Sequence, residues 1–389
     1  MPKSMTVAAA EGILQRLGVD AGRLRIPTKG RHHQAGGEAA MTQALVTWAQ
    51  RKAKGEAVLE TYVNDADDPE GQLRTLTRQL FGLTAALVCD EALDRSGTDQ
   101  AEPLRSAALQ RLTVIQSERP RAASRGPQYE VVCADHLGRS APTLLYRRTR
   151  DGEAELRDAP AFDELARQIA KTVIPEALAD VLPAHFTSSM GAALHELFRN
   201  TEEHARVDAR GHRLTRSIRA IQARRHDILP HALTDIVSQS QPLAAYVGRL
   251  VPPRETSKQV RLLEFSILDS GPGLAAALAR STRPGSDATT ISLEDEQELV
   301  LECFRKHASS KRESNAGLGL SNVVDILRSN DGFLRVRTGR QALFADLGLE
   351  QGASFETPPC LRRWSTDRAD APPVAGTLVT LLVPLVHER

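Results

Sequence analysis

Apolar residues recur at three- and four-residue steps over 40–51 and over 72–88, which predicts two helices early in the chain. Between them, 57–63 alternates apolar and polar positions, as a half-buried strand does. Two further runs, 129–134 and 143–148, flank a turn-forming stretch at 136–140 and predict a β-hairpin. Beyond residue 160 the pattern sharpens. Helices are expected over 161–182 and 187–205, strands over 215–228 and 260–269, and an additional helical stretch over 231–250. A polar loop then leads to a helix over 293–306. A Gly-containing loop opens onto a helix over 320–328 that stops at Gly332, and strands over 333–338 and 376–385 complete the series. Alternation of this kind suits a layered α/β sandwich, a mixed and largely antiparallel sheet covered by helices.

Two stretches act as punctuation. Residues 116–128 are rich in Arg, Pro, Ser and Gly and predict a linker, and 357–375, with four prolines, predict a long loop. They suggest an N-terminal α/β region over 1–150, regulatory or partner-binding, followed by a second domain over 155–389. The second carries a helical insertion around 229–258.

Composition narrows the function classes. With 389 residues, 41% hydrophobic and 25% charged, the chain has material for two ordinary globular domains. A net charge of +1 gives no bulk field toward nucleic acid or anionic membrane, and 4% aromatic content offers no stacking platform for single strands. The longest apolar run, 378–386, falls short of the ~18–20 residues that cross a bilayer. The first residues show no continuous apolar stretch of the secretory kind. Cys89, Cys133, Cys303 and Cys360 lie far apart without a CxxC, which suggests reduced thiols in a cytoplasmic protein. His32 and His33 have no partner ligand at metal-binding spacing and suggest a solvated loop.

Four segments carry candidate chemistry. In SSMGAALHELFRNTEEHA, Glu196, Asn200 and His204 recur every four residues and share one helical stripe, beside an apolar face of Met190, Leu194, Leu197 and Phe198. A carboxylate one turn before an amide can polarise a water next to a hard ligand for Mg²⁺; a plain solvated helix face has the same pattern. In RLLEFSILDSGPGL, Asp269 ends a strand whose Leu263, Phe265 and Ile267 share its face, and enters a turn with Gly271 and Gly273. A buried carboxylate there needs donors, such as an exocyclic amine, unless it simply caps the turn. In KRESNAGLGLSNVVDIL, Gly317, Leu318 and Gly319 precede an amphipathic helix with Leu320, Val323, Val324 and Leu327 inward. Freed N–H groups at such a helix start can cradle phosphates, and a loop-to-helix junction would look alike. The polar segment before them, with Lys311, has the character of a lid. Fourth, GTLVTLLVPL predicts a core strand that begins at Gly376 and Thr377.

Other chemistries fail on spacing. There is no GxxxxGK[ST] and no GxSxG, and His195-Glu196 is followed by His204 nine residues on, not by the histidine of a zinc-binding HExxH.

Taken together and in order, the four segments resemble the boxes of the GHKL (Bergerat-fold) ATPase superfamily, which includes gyrase B, Hsp90, sensor histidine kinases and MutL. HELFRNTEEHA is similar to the N box, DSGPGL to the G1 box, NAGLGLSNV to the G2 box, and GTLVTLLVPL to the last strand. The resemblance covers about 160–389. It implies ATP and Mg²⁺ as cofactors, Glu196 as the water-orienting base and Asn200 as the metal ligand. Asp269 would hold the adenine amine, with Gly271 and Gly273 shaping its pocket. Gly317, Leu318 and Gly319 would lie along the phosphates, Thr377 would stand near the adenine, and Lys311 would either reach the terminal phosphate or remain solvated. Two features depart from the family. Asn200 and Asp269 are 69 positions apart, more than compact members use, and no phosphoacceptor helix is visible upstream. The expected function is an ATP-binding, ATP-hydrolysing switch that couples nucleotide state to a protein partner or homodimer contact. The alternatives are a histidine or serine kinase acting on a separate protein, and a non-catalytic, anti-sigma-like nucleotide-dependent binder.

Overall fold

A computed structural model of the chain describes residues 1–19, 22–31, 33–64, 67–117, 127–176, 178, 185–229, 240–251, 259–282, 291–305, 319–354, 357–365 and 371–385. The first half opens with α1 (Val7–Val19), whose Val7, Ala10, Ile13, Leu14 and Leu17 form one buried stripe. It continues through β1 (Leu24–Ile26), α2 (Gly37–Gln50), β2 (Val58–Thr61), α3 (Pro69–Thr77), α4 (Leu80–Val88), β3 (Glu91–Leu93) and α5 (Ala101–Ile115). The three short strands pair in parallel in the order β1-β2-β3. The single helix expected over 72–88 is two helices. Gln79 between them is extended, and the buried Glu38 carboxylate accepts the Leu80 N–H that starts α4. Gly82 permits the break, because a Cβ there would meet the Leu76 carbonyl at 2.2 Å.

The second half supplies β4 (Gln128–Ala134), β5 (Tyr146–Arg148), β6 (Ala154–Leu156), α6 (Ala159–Val173), α7 (Phe186–His204), β7 (Ile218–Ile228), α8 (Gln241–Leu250), β8 (Val260–Asp269), α9 (Leu274–Thr282), α10 (Leu293–Glu302) and α11 (Gly319–Ser329). After them come β9 (Phe333–Gly339), β10 (Gln341–Asp346), β11 (Arg362–Arg363) and β12 (Val374–Pro384). The architecture is mixed α/β around a seven-stranded sheet, ordered β11-β10-β9-β12-β8-β7-β4, with every neighbouring pair antiparallel.

Several expectations change. The hairpin of 129–134 with 143–148 does not form: β4 pairs with β7, Tyr129 opposite Ala223, and β5 pairs with β6. Six of the seven β4 residues are buried, so it needs a long partner inside the sheet, which its local neighbour is too short to be. Although β4 falls within 1–150, it is an edge strand of the large sheet. The loop over 270–292 contains α9, β10 was not foreseen, and the 357–375 loop includes β11 and the start of β12. Of the helix over 231–250, Gln241–Leu250 is present; residues 231–239, and most of the 116–128 linker, lie outside the described residues. His33 is no solvated loop residue, since its Nδ1 stands 3.3 Å from Glu38.

The sheet has two unlike faces. Odd positions of β8 (Leu263, Phe265, Ile267) and of β12 (Val379, Leu381, Val383) face an apolar core with α6, α7 and α11. The opposite face packs on α1 and α2 through a polar layer. There Arg224 pairs with Glu38, His226 Nε2 meets Glu264 at 2.7 Å, and Arg335 and Arg337 reach Glu11 at 3.1 and 3.0 Å.

Candidate functional site

At the end of β8 the chain leaves the apolar face through Asp269, Ser270, Gly271, Pro272 and Gly273. Asp269 Oδ1 accepts the N–H of Gly271 at 2.8 Å and the N–H of Thr377 at 3.3 Å. Among the described residues its Oδ2 has no hydrogen-bond donor. Burial pushes the carboxyl up to about 6, against the pull of the two N–H donors and of Arg219.

The turn closes against β12. Gly376 donates its N–H to the Gly271 carbonyl at 2.8 Å, and the β9–β12 register slips between Val374 and Thr377, a bulge that lifts Thr377 toward Asp269. Gly376 has φ +64, and a Cβ there would lie 1.9 Å from the Asp269 carbonyl oxygen, so only glycine fits. Thr338 accepts the Leu274 N–H at 2.9 Å, and its hydroxyl is 3.2 Å from that of Thr377. Gly273, at φ +86, leaves room for the same Thr338 hydroxyl.

The helix α7 ends at this turn. A Cβ on Gly271 would stand 2.7 Å from Ala205 Cα and 2.9 Å from the His204 carbonyl. Asn200 and Glu196 therefore lie one and two turns before the contact, about 6 and 12 Å back along the axis. The apolar face expected of this helix is present, with Met190, Leu194, Leu197 and Phe198 buried. Glu196 is engaged: Arg199 forms a salt bridge with its carboxylate, and His195 Nδ1 stands 3.5 Å away. The Asn200 amide makes no hydrogen bond among the described residues. Running beside α7 is α11, which begins at Gly319 and buries Val323, Val324 and Leu327.

Asp269, Gly271, Gly376 and Thr377 are thus one hydrogen-bonded unit, with Gly273 against Thr338 and the end of α7 against the turn, while α11 packs on α7. Lys311, Gly317, Leu318 and the lid segment lie outside the described residues. Sequence reasoning missed Arg219, which is directly opposite Asp269 in the β7–β8 register. It is fully buried and donates to Asp135 at 2.8 Å, Glu202 at 2.7 Å and the Tyr146 hydroxyl at 2.7 Å. It also missed the support from the first half. Gln50, at the end of α2, donates to the Ser270 carbonyl at 2.7 Å, and Arg216 pairs with Asp90.

The site can accept hydrogen bonds at Asp269 Oδ2 and offers the Thr377 hydroxyl beside it. Among the described residues no group of three or more His, Cys, Asp or Glu could hold a metal ion on its own. In comparisons with family models, curated proteins and solved structures, none matches the chain.

Proposed function

We propose that the chain binds ATP with Mg²⁺ at the junction of α7, the 269–273 turn, the 376–377 bulge and the start of α11, and that it works as a nucleotide-dependent switch. The observation that carries this reading is Asp269. One of its oxygens is fixed by two backbone N–H groups while the other has no donor among the described residues, which leaves a part-exposed acceptor at the end of a buried strand, suited to an exocyclic amine. Adenine supplies that amine and guanine presents a carbonyl at the same place.

The residues present fit a magnesium nucleotide. Mg²⁺ keeps several waters and takes one or two protein oxygens together with phosphates, and Asn200 has an amide oxygen that nothing engages among the described residues. When bound, the ion would offset the phosphate charge. The chain's own residues would then orient the base through Asp269 and Thr377 and the phosphates through the N–H groups that begin α11.

The Glu196–Arg199 pair favours a second reading, a nucleotide-dependent binder with little or no turnover, because a carboxylate engaged by a guanidinium is a poorer base. In either reading nucleotide state would alter contact with a protein partner or a second copy. Calorimetric titration of wild type and Asp269→Asn with Mg·ATP tests the proposal. A loss of at least about tenfold in affinity is expected in the variant, the size of one charge-assisted hydrogen bond. Equal affinities would overturn it.

A further inference from the structure

Among the described residues the small parallel sheet is packed on one face only. Leu24, Ile26, Leu59, Thr61 and Ala92 are buried, whereas Arg25, Glu60 and Leu93 form a row across the other face. Parallel sheets are ordinarily covered on both faces, so an open one asks what it meets. A cavity of about 550 Å³ lies on it, within the range of small-molecule sites.

We propose that this cavity binds a small multivalent oxyanion, a ligand bearing phosphate or carboxylate groups, through Arg23, Arg25 and Arg95. Three guanidinium groups line it, and the carboxylates facing them are Glu60 and Asp94. Glu60 is shared between Arg25 at 2.6 Å and Arg23 at 3.7 Å. Asp94 points inward. Its Oδ1 accepts the N–H groups of Ser96 and Thr98, and its Oδ2 accepts from Gln100. Arg95 has no carboxylate partner among the described residues. Its guanidinium lies 5.7 Å from the centre of the Tyr62 ring, as does that of Arg25. The cavity therefore holds an excess of positive charge around one half-exposed aromatic ring.

Its place in the fold agrees. Tyr62 follows the carboxyl end of β2 and Arg95, Ser96 and Gly97 follow that of β3, the end at which α/β sheets gather their ligands. Guanidinium forks suit planar recognition of phosphate and carboxylate oxygens, and Gly97 keeps the rim open, with nothing within 4 Å of where its Cβ would stand.

The test is a calorimetric titration of the full chain, without Mg²⁺, using inorganic pyrophosphate in one arm and citrate in the other. At least one should bind, more weakly at higher salt, and the tighter of the two identifies the source of the anion. Arg95→Ala and, as a second variant, Arg23→Gln should each weaken it by about tenfold, with Arg74→Ala, an α3 residue that pairs with Glu70 and does not line the cavity, unchanged. Failure of both anions to bind at millimolar concentration would overturn the proposal. So would affinities that ignore both cavity variants.

Discussion

Arg219 stands directly across from Asp269 in the β7–β8 ladder, yet it directs its guanidinium away, to Asp135 and Glu202. The arrangement explains how an acid can sit at the end of a buried strand next to an arginine and, among the described residues, remain without an ion pair. Arg219 is saturated by two other carboxylates and a tyrosine hydroxyl. Among the described residues Asp269 keeps only its backbone donors, and burial raises its pKa.

That raised value has a consequence for stability. The ordinary carboxyl value is 3.8 and the folded one about 6, so folding favours the protonated acid. The contribution is fully present below about pH 4 and is lost as pH rises through 6. Asp269→Asn keeps the Oδ1 acceptor and removes the titration. Without nucleotide, the variant should be more stable than wild type by about 1–2 kcal/mol at pH 7.5 and no more stable at pH 4. Thermal melts at the two pH values measure this.

Glycines separate structural need from tolerance. Gly376→Ala forces a Cβ into the Asp269 carbonyl at a positive φ, and should cost about 2 kcal/mol or more and disturb the Asp269 turn. Gly248→Ala in α8 meets nothing within 4 Å and should stabilise by about 0.5–1 kcal/mol. Urea unfolding of the pair checks both signs.

Arg219→Met takes from Asp135 and Glu202 their buried cation and leaves them the part-exposed Arg206, at 3.6 and 2.7 Å. A loss of about 3–5 kcal/mol is expected, as for a buried ion pair broken from one side. Chemical denaturation should reveal it, and a loss under 1 kcal/mol would show that the pair is solvated.

Glu196 decides between hydrolysis and binding alone. If it activates water, Glu196→Ala should keep ATP affinity within a few-fold and reduce turnover by about 10²–10⁴. Arg199→Ala, which releases the carboxylate, should raise turnover. Phosphate release measured for the three proteins distinguishes the outcomes, and no turnover in any of them favours the non-catalytic binder.

Local features made part of this legible in advance. The acid at the end of an alternating strand and the glycines around Pro272 are set by neighbours within a few residues and lie where their spacing indicates, whereas the strand expected from Gly376 begins at Val374 and its bulge is tied to Asp269 and Gly271. What was hidden depends on distant partners. Arg335 and Arg337 alternate with Leu334 and Val336 as in a half-solvated strand, yet they are buried because Glu11 of α1 covers them. The break between α3 and α4 has no proline, and its cap comes from Glu38. The true partner of β4 is β7, about 90 residues on, so a nearer hairpin was the natural expectation.

The central claim, a carboxylate that receives the adenine amine, is tested most directly by changing the ligand. ITP differs from ATP in carrying a carbonyl in place of that amine. Wild type should bind Mg·ATP at least about tenfold more tightly than Mg·ITP, and Asp269→Asn should lose most of that preference. Equal affinity of wild type for the two nucleotides would contradict the account.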